Sequence, residues 1–489
     1  MLRRALHLGL ATAALAALSA CGGEADRPVA VAVIGDPGAS FVTGPRLPVA
    51  AQLVRSATSE GLVGFDEQGR VIPALADRWI VTDDGLSFIF RLRDGTWADG
   101  SPITGDSARE ALLRAIAAVR GTPLGLDLGV IAEVRAMAGR VIEIRLSQQA
   151  PDMLQLLAQS ELGLLRRGRG AGPMKLTRDG DAALLKPIAP EDRGLPPEED
   201  WADRARRLRL TAMPAKTAIA QFNSGKVDIV LGGRFEDFPR LDASGVSRGA
   251  IRLDPVAGLF GLAVAAQDGF LSLPENREAL SMALDRDALG TTLAIGGWTA
   301  TTRIVNPGLE GDNGTVVERW PGRSIEERRT QAAARVARWK NGHGPVSLTL
   351  ALPAGPGGDA LFARLSADFK AIGIAPRRVG LDADADLRLI DTVARYPRAD
   401  WFLNQFACAG GRVICSVAAD RLLGEAHAEP DPTKRAELYA QAEAQLTIAN
   451  GYLPLGVPIR WSLVSGKGTG FAPNRWNIHP LMPLALRPR

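Results

Sequence analysis

The chain has 489 residues, of which 46% are hydrophobic and 23% charged, and its formal net charge is +4. These proportions are typical of a globular protein and exclude a disordered chain or a coiled coil. At about 100–200 residues per domain, the length predicts two to four domains. The small net charge argues against a nucleic-acid partner. The four histidines and three cysteines do not cluster at the spacing of metal ligands, so we predict no metal site and no cofactor.

The N-terminal segment has the pattern of an export signal. Two arginines near the start precede an apolar run over residues 8–18, which is too short to span a bilayer comfortably. The small residues before Cys21 resemble the lipobox of bacterial lipoproteins, in which the cysteine is acylated and becomes the new N-terminus. We expect residues 1–20 to be removed and 21–26 to tether the body to a membrane, outside the cytoplasm. An ordinary secretory signal cleaved at the same place is the alternative.

Strand and helix patterns alternate along the body. In chain order, the predicted elements are strands over 29–34 and 87–93, a helix from about Asp106, a strand over 208–212, a helix over 215–223, a strand over 227–231, a helix over 276–293, a helix from Ser324 to Trp339, a strand over 346–352 and a helix from Leu361 to Gly373. Thr104 and Ser324 have the character of helix caps. The alternation predicts an α/β protein of several lobes.

Export changes the interpretation of Cys408 and Cys415, which enclose a short glycine-containing loop. In an oxidising compartment these two residues can form a local disulfide. Closing so small a loop would stabilise the protein by only about 2–3 kcal/mol. Two buried thiols and a redox pair are the alternatives.

Catalytic motifs are nearly absent. Residues 245–249 read GVSRG and match the letters of the G-x-S-x-G nucleophile elbow. That elbow needs an apolar strand before the serine and a helix after it, whereas the strand-like run 250–253 follows here. We therefore predict a turn at Ser247, and binding rather than catalysis as the function. A periplasmic hydrolase that uses Ser247, or carboxylates brought together by folding, is the alternative from another class.

Five segments carry a family resemblance, and they occur in the family's order. They are residues 60–79 (EGLVGFDEQGRVIPALADRW) with 81–88 (VTDDGLSF) and 92–104 (LRDGTWADGSPIT), residues 170–173 (GAGP), residues 222–229 (FNSGKVDI), residues 276–286 (NREALSMALDR) and residues 470–474 (GFAPN). Together they resemble solute-binding protein family 5, the oligopeptide-, dipeptide- and nickel-binding components of bacterial ABC importers. The resemblance extends over nearly the whole mature chain.

The resemblance implies an α/β fold of the periplasmic-binding-protein type (type II, cluster C). This fold is a bilobal clamp with an additional third domain, and its ligand is enclosed between lobes joined by two crossing segments. By position we assign lobe I to residues 27–50, 169–258 and 468–489, the additional domain to 51–168, and lobe II to 259–467.

The implied function is that of an extracytoplasmic lipoprotein that captures a peptide-like or other small solute. Its partners would be the permease and ATPase subunits of an ABC importer. The lipid anchor would be its only contact with a membrane, and we expect a monomer. A receptor on the same fold that signals to a membrane sensor, without transport, is the alternative.

One departure from the family concerns ligand specificity. Peptide-binding members place an aspartate, which pairs with the peptide α-ammonium, at the position that matches Arg395. A guanidinium repels an ammonium but can bind a carboxylate or phosphate. We therefore expect an anionic or amine-blocked solute. The alternative is that Arg395 points away and pairs with Asp391 or Asp400.

Further candidate ligand-binding residues lie near Arg395 or in a loop. Asp391, Thr392 and Tyr396 belong to the same segment, and Trp401 follows it. Tyr396 and Trp401 are expected to supply apolar walls or else to belong to the core. Trp298, after two glycines, is expected either to line the cleft or to pack within its own loop.

Overall fold

The computed structural model describes residues 27–411, 414–466 and 470–488. The predicted export signal and the lipidation site at Cys21 lie outside the described residues. Within the described ranges, no helix is both long enough and apolar enough to span a membrane.

Lobe I is built on a seven-stranded sheet. Its strands, in spatial order, are Ile251–Leu253, Arg460–Val464, Ile229–Arg234, Val29–Ile34, Leu208–Met213, Ala182–Pro187 and Met174–Asp179. The central strand Val29–Ile34 is parallel to both of its neighbours, and the outer pairs are antiparallel. Because side chains alternate along a strand, Val31 and Val33 pack against helix Val49–Thr58, whereas Ala32 joins the cluster on the opposite face.

Lobe II contains a five-stranded sheet with helices around it. The strands, in spatial order, are Ala375–Val379, Ser347–Ala351, Leu387–Val393, Gly258–Val264 and Tyr452–Gly456. Its helices are Pro274–Ala283, Arg286–Thr292, Ile325–His343, Pro356–Ala371, Ala399–Asn404, Val417–Ala428 and Pro432–Ala449. Every residue of the strand Gly258–Val264 is buried, because this strand has a neighbour on each side and helices over its faces.

The additional domain carries a four-stranded antiparallel sheet. Its strands, in spatial order, are Ala76–Val81, Ser87–Leu92, Val141–Leu146 and Ile131–Ala136. Helix Gly105–Ala118 buries Ala111 and Leu112 against this sheet, and Thr104 caps it as predicted. The other helices of the additional domain are Pro123–Asp127 and Met153–Leu157, and a small hairpin pairs Val63–Phe65 with Val71–Pro73. The remaining helices of lobe I are Trp201–Arg204, Ala215–Asn223, Pro239–Ala243 and Leu481–Leu484.

Two segments cross between lobe I and lobe II, at residues 254–257 and 457–459. The first segment is bonded to the residue that follows the second, since the backbone N–H of Asp254 donates to the carbonyl oxygen of Arg460 at 3.1 Å. The N–H of Gly258, where the first segment enters lobe II, donates to Oδ1 of Asn306 at 2.8 Å. The two crossing segments implied by the family resemblance are therefore present.

Two of the domain boundaries assigned from the sequence need correction. The strand Arg460–Val464, assigned to lobe II, pairs with Ile229–Arg234 and Ile251–Leu253 in the sheet of lobe I. Helix Val49–Thr58 packs on the same sheet, so lobe I continues to about residue 58 rather than to 50. Both errors have one cause, because a sequence motif indicates local structure and not the sheet that a strand or helix joins.

Most predicted elements are confirmed, including the strand over 29–34 and the helix over 215–223. The predicted helix over 276–293 is two helices, because Asp285 interrupts it and caps the second by accepting from the N–H of Ala288. The capping box at Ser324 is confirmed, but its helix continues four residues beyond Trp339, to His343.

Candidate ligand-binding site

A carboxylate between the lobes, that of Asp391, binds two arginines. Asp391 lies on the lobe II strand Leu387–Val393, and Arg234 and Arg460 lie at the ends of two lobe I strands. Nη2 of Arg234 is 2.8 Å from Oδ2 of Asp391, and Nη1 of Arg460 is 2.8 Å from Oδ1. Both guanidinium groups also donate to the backbone carbonyl oxygen of Asp391. We call these three residues the Asp391 cluster.

The exposure of the three side chains and the charges of the two arginines determine the pKa of Asp391. The side chains of Asp391 and Arg460 are 2% and 6% exposed, whereas that of Arg234 is 43% exposed. Burial alone would raise the pKa of Asp391, but the charges of Arg460 and Arg234 outweigh it and hold the pKa below its usual range. Asp391 is therefore an ionised, fully paired group whose hydrogen-bonding capacity is used within the protein.

A cavity of about 270 Å³ lies between the additional domain and lobe II, and we call it the interlobe cavity. Its polar lining residues are Gln148, Gln149, Asp127 and Asp152 from the additional domain, and Tyr396, Arg398, Asp400, Asn404, His427, Arg435 and Tyr439 from lobe II. The volume lies just below the range of ligand pockets, about 300–1,000 Å³. The cavity therefore suits a small solute.

Arg398 is the central cation of the interlobe cavity. Its Nε lies 3.2 Å from Asp152 and 3.7 Å from Asp400, and its Nη1 lies 2.5 Å from Glu310. Burial nevertheless raises the pKa of Asp152 to about 7, against the effect of Arg398. Burial also raises the pKa of Asp400 and lowers that of His427, so this wall disfavours additional charge.

Asp127, at the end of helix Pro123–Asp127, differs from the other acids of the cavity. Its Oδ2 is inaccessible to solvent and has no hydrogen-bond partner in the described part of the chain. Burial raises the pKa of Asp127 to about 7, and the guanidinium of Arg395 acts in the opposite direction. Asp127 is thus a carboxyl group with one buried oxygen that forms no hydrogen bond with the described residues.

The predicted site residues in the segment 391–396 fall in three different environments. Asp391 is committed to Arg234 and Arg460, so it is not the partner of Arg395. Arg395 forms no hydrogen bond or ion pair with any described residue and lies outside the cavity lining, but within electrostatic range of Asp127. Thr392 is exposed at the strand. Tyr396 is buried and lines the cavity.

The two predicted tryptophans pack in the protein. Trp401 is fully buried in the lobe II core beside Phe402 and does not line the interlobe cavity. Trp298 packs edge-on against Phe260, with ring centroids 6.2 Å apart, and its Nε1 donates to the carbonyl oxygen of Val457 at 2.9 Å. Trp298 therefore contacts the second crossing segment.

Cys408 and Cys415 are joined by a disulfide in the structure. Ala407 and Ala409, on either side of Cys408, line the interlobe cavity, so the disulfide constrains part of its wall. The structure therefore contains the local disulfide that the sequence analysis considered, and not two separate buried thiols.

The remaining sequence motifs do not form a reactive site in the described residues. Ser247 precedes a short 3₁₀ turn, Arg248–Ala250, and then the strand Ile251–Leu253, so the predicted turn is confirmed and the strand–serine–helix arrangement of an elbow is absent there. Over the same ranges, no group of three or more His, Cys, Asp or Glu residues is placed to hold a metal ion.

Sequence reasoning missed Asp127, Asp152, Arg234 and Arg460. None of these four residues belongs to a recognisable motif, and Arg234 is 157 residues from Asp391 along the chain. The only available signal was the short helix that begins with Thr122 and Pro123, a cap followed by a proline, which places Asp127 at the helix end.

Comparison with protein families adds an independent finding. The model of "Bacterial extracellular solute-binding proteins, family 5 Middle" matches residues 70–181 and 197–412. These ranges include most of the additional domain, part of lobe I and the lobe II strand that carries Asp391.

Individual relatives are distant in sequence. The chain is 24% identical over 326 residues to the periplasmic murein peptide-binding protein of Escherichia coli K12, covering 60% of this chain and 59% of that protein. It is 22% identical over 445 residues to the periplasmic oligopeptide-binding protein of Salmonella typhimurium, covering 81% of each. The crystal structure of Haemophilus influenzae OppA in complex with RPPGFSPFR matches with a TM-score of 0.81 at 18% identity, covering 95% of this chain and 100% of that one. The bilobal fold implied by the sequence is thereby confirmed.

Proposed function

The chain belongs to family 5 of the bacterial extracellular solute-binding proteins, and we propose that it captures a small solute outside the cytoplasm and delivers it to an ABC importer. The interlobe cavity is the observation that carries this proposal. Its walls come from the additional domain and lobe II, so relative movement of these two bodies would admit and enclose a solute. Enclosure allows a few placed polar groups to bind a desolvated ligand.

Arg395 supports an anionic solute. It has no ion-pair partner among the described residues, it precedes the cavity residue Tyr396 in the chain, and it lies within electrostatic range of Asp127. A carboxylate or phosphate of the solute would complete its hydrogen bonds in a bidentate pair. An amine-blocked peptide would satisfy the same requirement, because it keeps its carboxylate and has no ammonium for Arg395 to repel.

The size of the interlobe cavity favours a solute smaller than a long peptide. The solved relative holds a nonapeptide, and other relatives are named for murein peptide and oligopeptide. A volume of about 270 Å³ accommodates a much smaller compound. We therefore propose a solute no larger than about a dipeptide.

The N-terminal segment supports attachment to a membrane. Acylation at Cys21 would hold the body at the membrane surface, and the tether 21–26 would let it reach the importer as a monomer. The permease and ATPase subunits would be the protein partners.

Native mass spectrometry of the mature chain, exported in its producing organism and purified in mild detergent, tests the proposal. We expect a bound compound of low mass that carries an acidic group and leaves the protein chemically unchanged. Arg395→Asp should lose this compound, whereas Arg338→Asp, at an exposed arginine without an ion pair on helix Ile325–His343, should retain it. Retention by Arg395→Asp would contradict the role of Arg395, and a bound compound released as cleavage products would favour a hydrolase.

A further inference from the structure

We propose that a second cavity, between lobe I and the additional domain, binds a phosphate monoester that carries an apolar substituent. We call it the basic cavity. Its volume of about 730 Å³ lies within the range of ligand pockets. None of its described lining residues belongs to lobe II or lines the interlobe cavity, so this site is separate from the one proposed above for solute capture.

The charge of the lining is the first observation. Cations from lobe I and the additional domain line the basic cavity, namely Arg55, Arg93, Arg169, Lys175 and Arg193. Among the described lining residues, Asp192 is the one acid. Two more acids lie close to the lining, because Glu60 pairs with two of the cations and Glu161 acts electrostatically on a third. Five cations and three acids leave an excess of two positive charges.

This excess matches one chemical group. A phosphate monoester has a charge of about −1.5 to −2 at pH 7 and three strong acceptor oxygens. Guanidinium groups bind phosphate oxygens in bidentate pairs, and a lysine ammonium binds them as a point charge. The lining of the basic cavity supplies both kinds of cation.

Three of the cations are able to receive an anion. Arg169 and Lys175 are exposed, and the side chain of neither forms a hydrogen bond or ion pair with a described residue. Arg55 is half-buried, and its Nη2 donates to the carbonyl oxygen of Gly163 at 3.1 Å. Burial lowers the pKa of Arg55. A cation that has lost part of its water gains more from an anion than a fully hydrated one does.

The position of Arg169 is fixed by the glycine that follows it. A Cβ at Gly170 would lie 2.2 Å from Cβ of Ser59, so only glycine allows this segment to pack so closely on the end of helix Val49–Thr58. That helix carries Arg55. The close approach therefore holds Arg169 and Arg55 at the same cavity without any contribution from lobe II.

The apolar lining favours a substituent on the phosphate. Val42 and Leu176 line the basic cavity and are 44% and 37% exposed. Leu47, Val54 and Trp97 also line it and are buried. An apolar group that covered Val42 and Leu176 would remove their surface from water, which is favourable. The combination of cations with apolar surface is the counterpart of an amphipathic anion.

Two sources share this chemistry. One is a soluble organic phosphate, and the other is a lipid with a phosphate monoester as its headgroup. The second would be close at hand if acylation of Cys21 holds the body at a membrane. The experiment therefore needs one soluble probe and one lipid probe.

Phenyl phosphate, a phosphate monoester with an apolar ring, is the soluble probe. Its affinity for the mature chain, in micelles of the uncharged detergent dodecyl maltoside, is measured by isothermal titration calorimetry. Inorganic phosphate lacks the ring, and benzylamine has the opposite charge. Arg169→Glu with Lys175→Glu is the test variant. Lys216→Glu with Arg338→Glu is the matched control, because both residues are exposed on helices and line neither cavity.

We expect phenyl phosphate to bind the wild type and the control at least about tenfold more tightly than inorganic phosphate does, because the ring leaves water. Benzylamine should not bind. The test variant should bind phenyl phosphate at least about tenfold more weakly, the effect of losing charged hydrogen bonds. Arg395→Asp should bind it normally, since Arg395 lies on lobe II and outside the lining of the basic cavity.

Failure of phenyl phosphate to bind the wild type would refute the proposal, as would normal affinity of the folded test variant. If ligand-free melting shows the test variant to be unfolded, Arg169→Gln with Lys175→Gln replaces it. Loss of affinity in Arg395→Asp would assign the probe to the interlobe cavity and likewise refute a site between lobe I and the additional domain. None of these results contradicts solute capture by the interlobe cavity.

The lipid arm identifies the source of the phosphate. Phosphatidic acid, whose headgroup is a phosphate monoester, is added to the micelles, with phosphatidylcholine as the control. Weaker binding of phenyl phosphate in the presence of phosphatidic acid alone would support a lipid as the occupant. Unchanged binding would support a soluble organic phosphate.

Discussion

Arg234 and Asp391 connect lobe I to lobe II directly, with Nη2 of the arginine 2.8 Å from Oδ2 of the aspartate. Arg460, where the second crossing segment enters lobe I, binds the other carboxylate oxygen at the same distance. The two lobes therefore have an ionic contact of their own, in addition to any contact that a solute provides. Since both arginines bind one carboxylate, Asp391 is the residue on which the contact depends.

Replacement of Asp391 should open the clamp. Asp391→Asn leaves the buried Arg460 without an ionic partner, and breaking a buried pair in this way costs about 3–5 kcal/mol. We expect a loss of this order in the free energy of unfolding, measured with urea, and a larger radius of gyration in small-angle X-ray scattering. An unchanged radius would show that the cluster does not hold the lobes together.

The matched variant is Arg234→Gln. Because Arg234 is 43% exposed and Arg460 still pairs with Asp391, the loss should be below about 1 kcal/mol. The pKa of Asp391 is held below its usual range, so its stabilising contribution is present above about pH 4 and is lost as the pH falls further. The difference in stability between wild type and Asp391→Asn should therefore shrink in acid.

The pH dependence of the ligand-free protein should identify Asp127. Its pKa is raised to about 7 in the folded protein, against about 3.9 in the unfolded chain, so the folded state holds the proton more tightly. This contribution to stability is present at low pH and is lost as the pH rises towards 7. Arg395 and Asp400, which face Asp127 from lobe II, act in opposite directions on it.

Asn cannot ionise, so Asp127→Asn should gain stability relative to the wild type as the pH rises from about 5 to 8. Urea denaturation across this range measures the free energy of unfolding of both proteins. Because His427 and the other titrating groups are present in both, their contributions cancel in the difference between the two values. A difference that stays constant with pH would show that Asp127 ionises in the folded protein as it does in the unfolded chain.

Removal of the disulfide should affect both stability and the cavity. The pair Cys408→Ser with Cys415→Ser releases a loop whose closure is worth about 2–3 kcal/mol. Because Ala407 and Ala409 line the interlobe cavity, we also expect weaker solute binding. Thermal melting and solute titration of the double variant, beside reduced and oxidised wild type, provide the measurement. Normal solute affinity in a destabilised variant would limit the disulfide to a structural role.

A methyl group at Gly456 should disturb the second crossing segment. An added Cβ would lie 2.3 Å from Cζ2 of Trp298 and 2.5 Å from the carbonyl oxygen of Thr299, so the indole ring would have to move. We expect Gly456→Ala to lower the free energy of unfolding by about 1–3 kcal/mol. Gly296→Ala, in the same loop as Trp298, is the control, because its Cβ would meet no atom within 4 Å. Equal stability of the two variants would contradict close packing of Trp298 on this segment.

The sequence was informative where the cause of a structure is local. Thr104 and Ser324 cap their helices as predicted, because a cap depends on residues within one turn. Ser247 lies in a turn for the same reason, since its immediate neighbours lack the strand and helix of an elbow. The family motifs, which are also local, predicted the bilobal fold.

The candidate site was less predictable because its contacts are distant in sequence. Arg460 reaches Asp391 across 69 residues and Arg234 across 157, and no local pattern selects these two arginines from the others. Trp401 illustrates a second difficulty, because an aromatic residue after the site segment fits a cavity wall and a core equally well by pattern. Trp401 is completely buried beside Phe402. This burial results from the packing of helices against one another, which a local sequence pattern does not predict.

The hydrogen bond between Asp254 and Arg460 has a consequence for how the protein moves. This bond joins the first crossing segment, at 3.1 Å, to the residue that follows the second, beside the pairing of strands Ile251–Leu253 and Arg460–Val464. Two crossing segments coupled in this way resist independent twisting. We therefore expect lobe II to move relative to lobe I by a hinge rotation about a single axis. A single pair of fluorescent labels, one on each lobe, should therefore report the full course of opening as one distance.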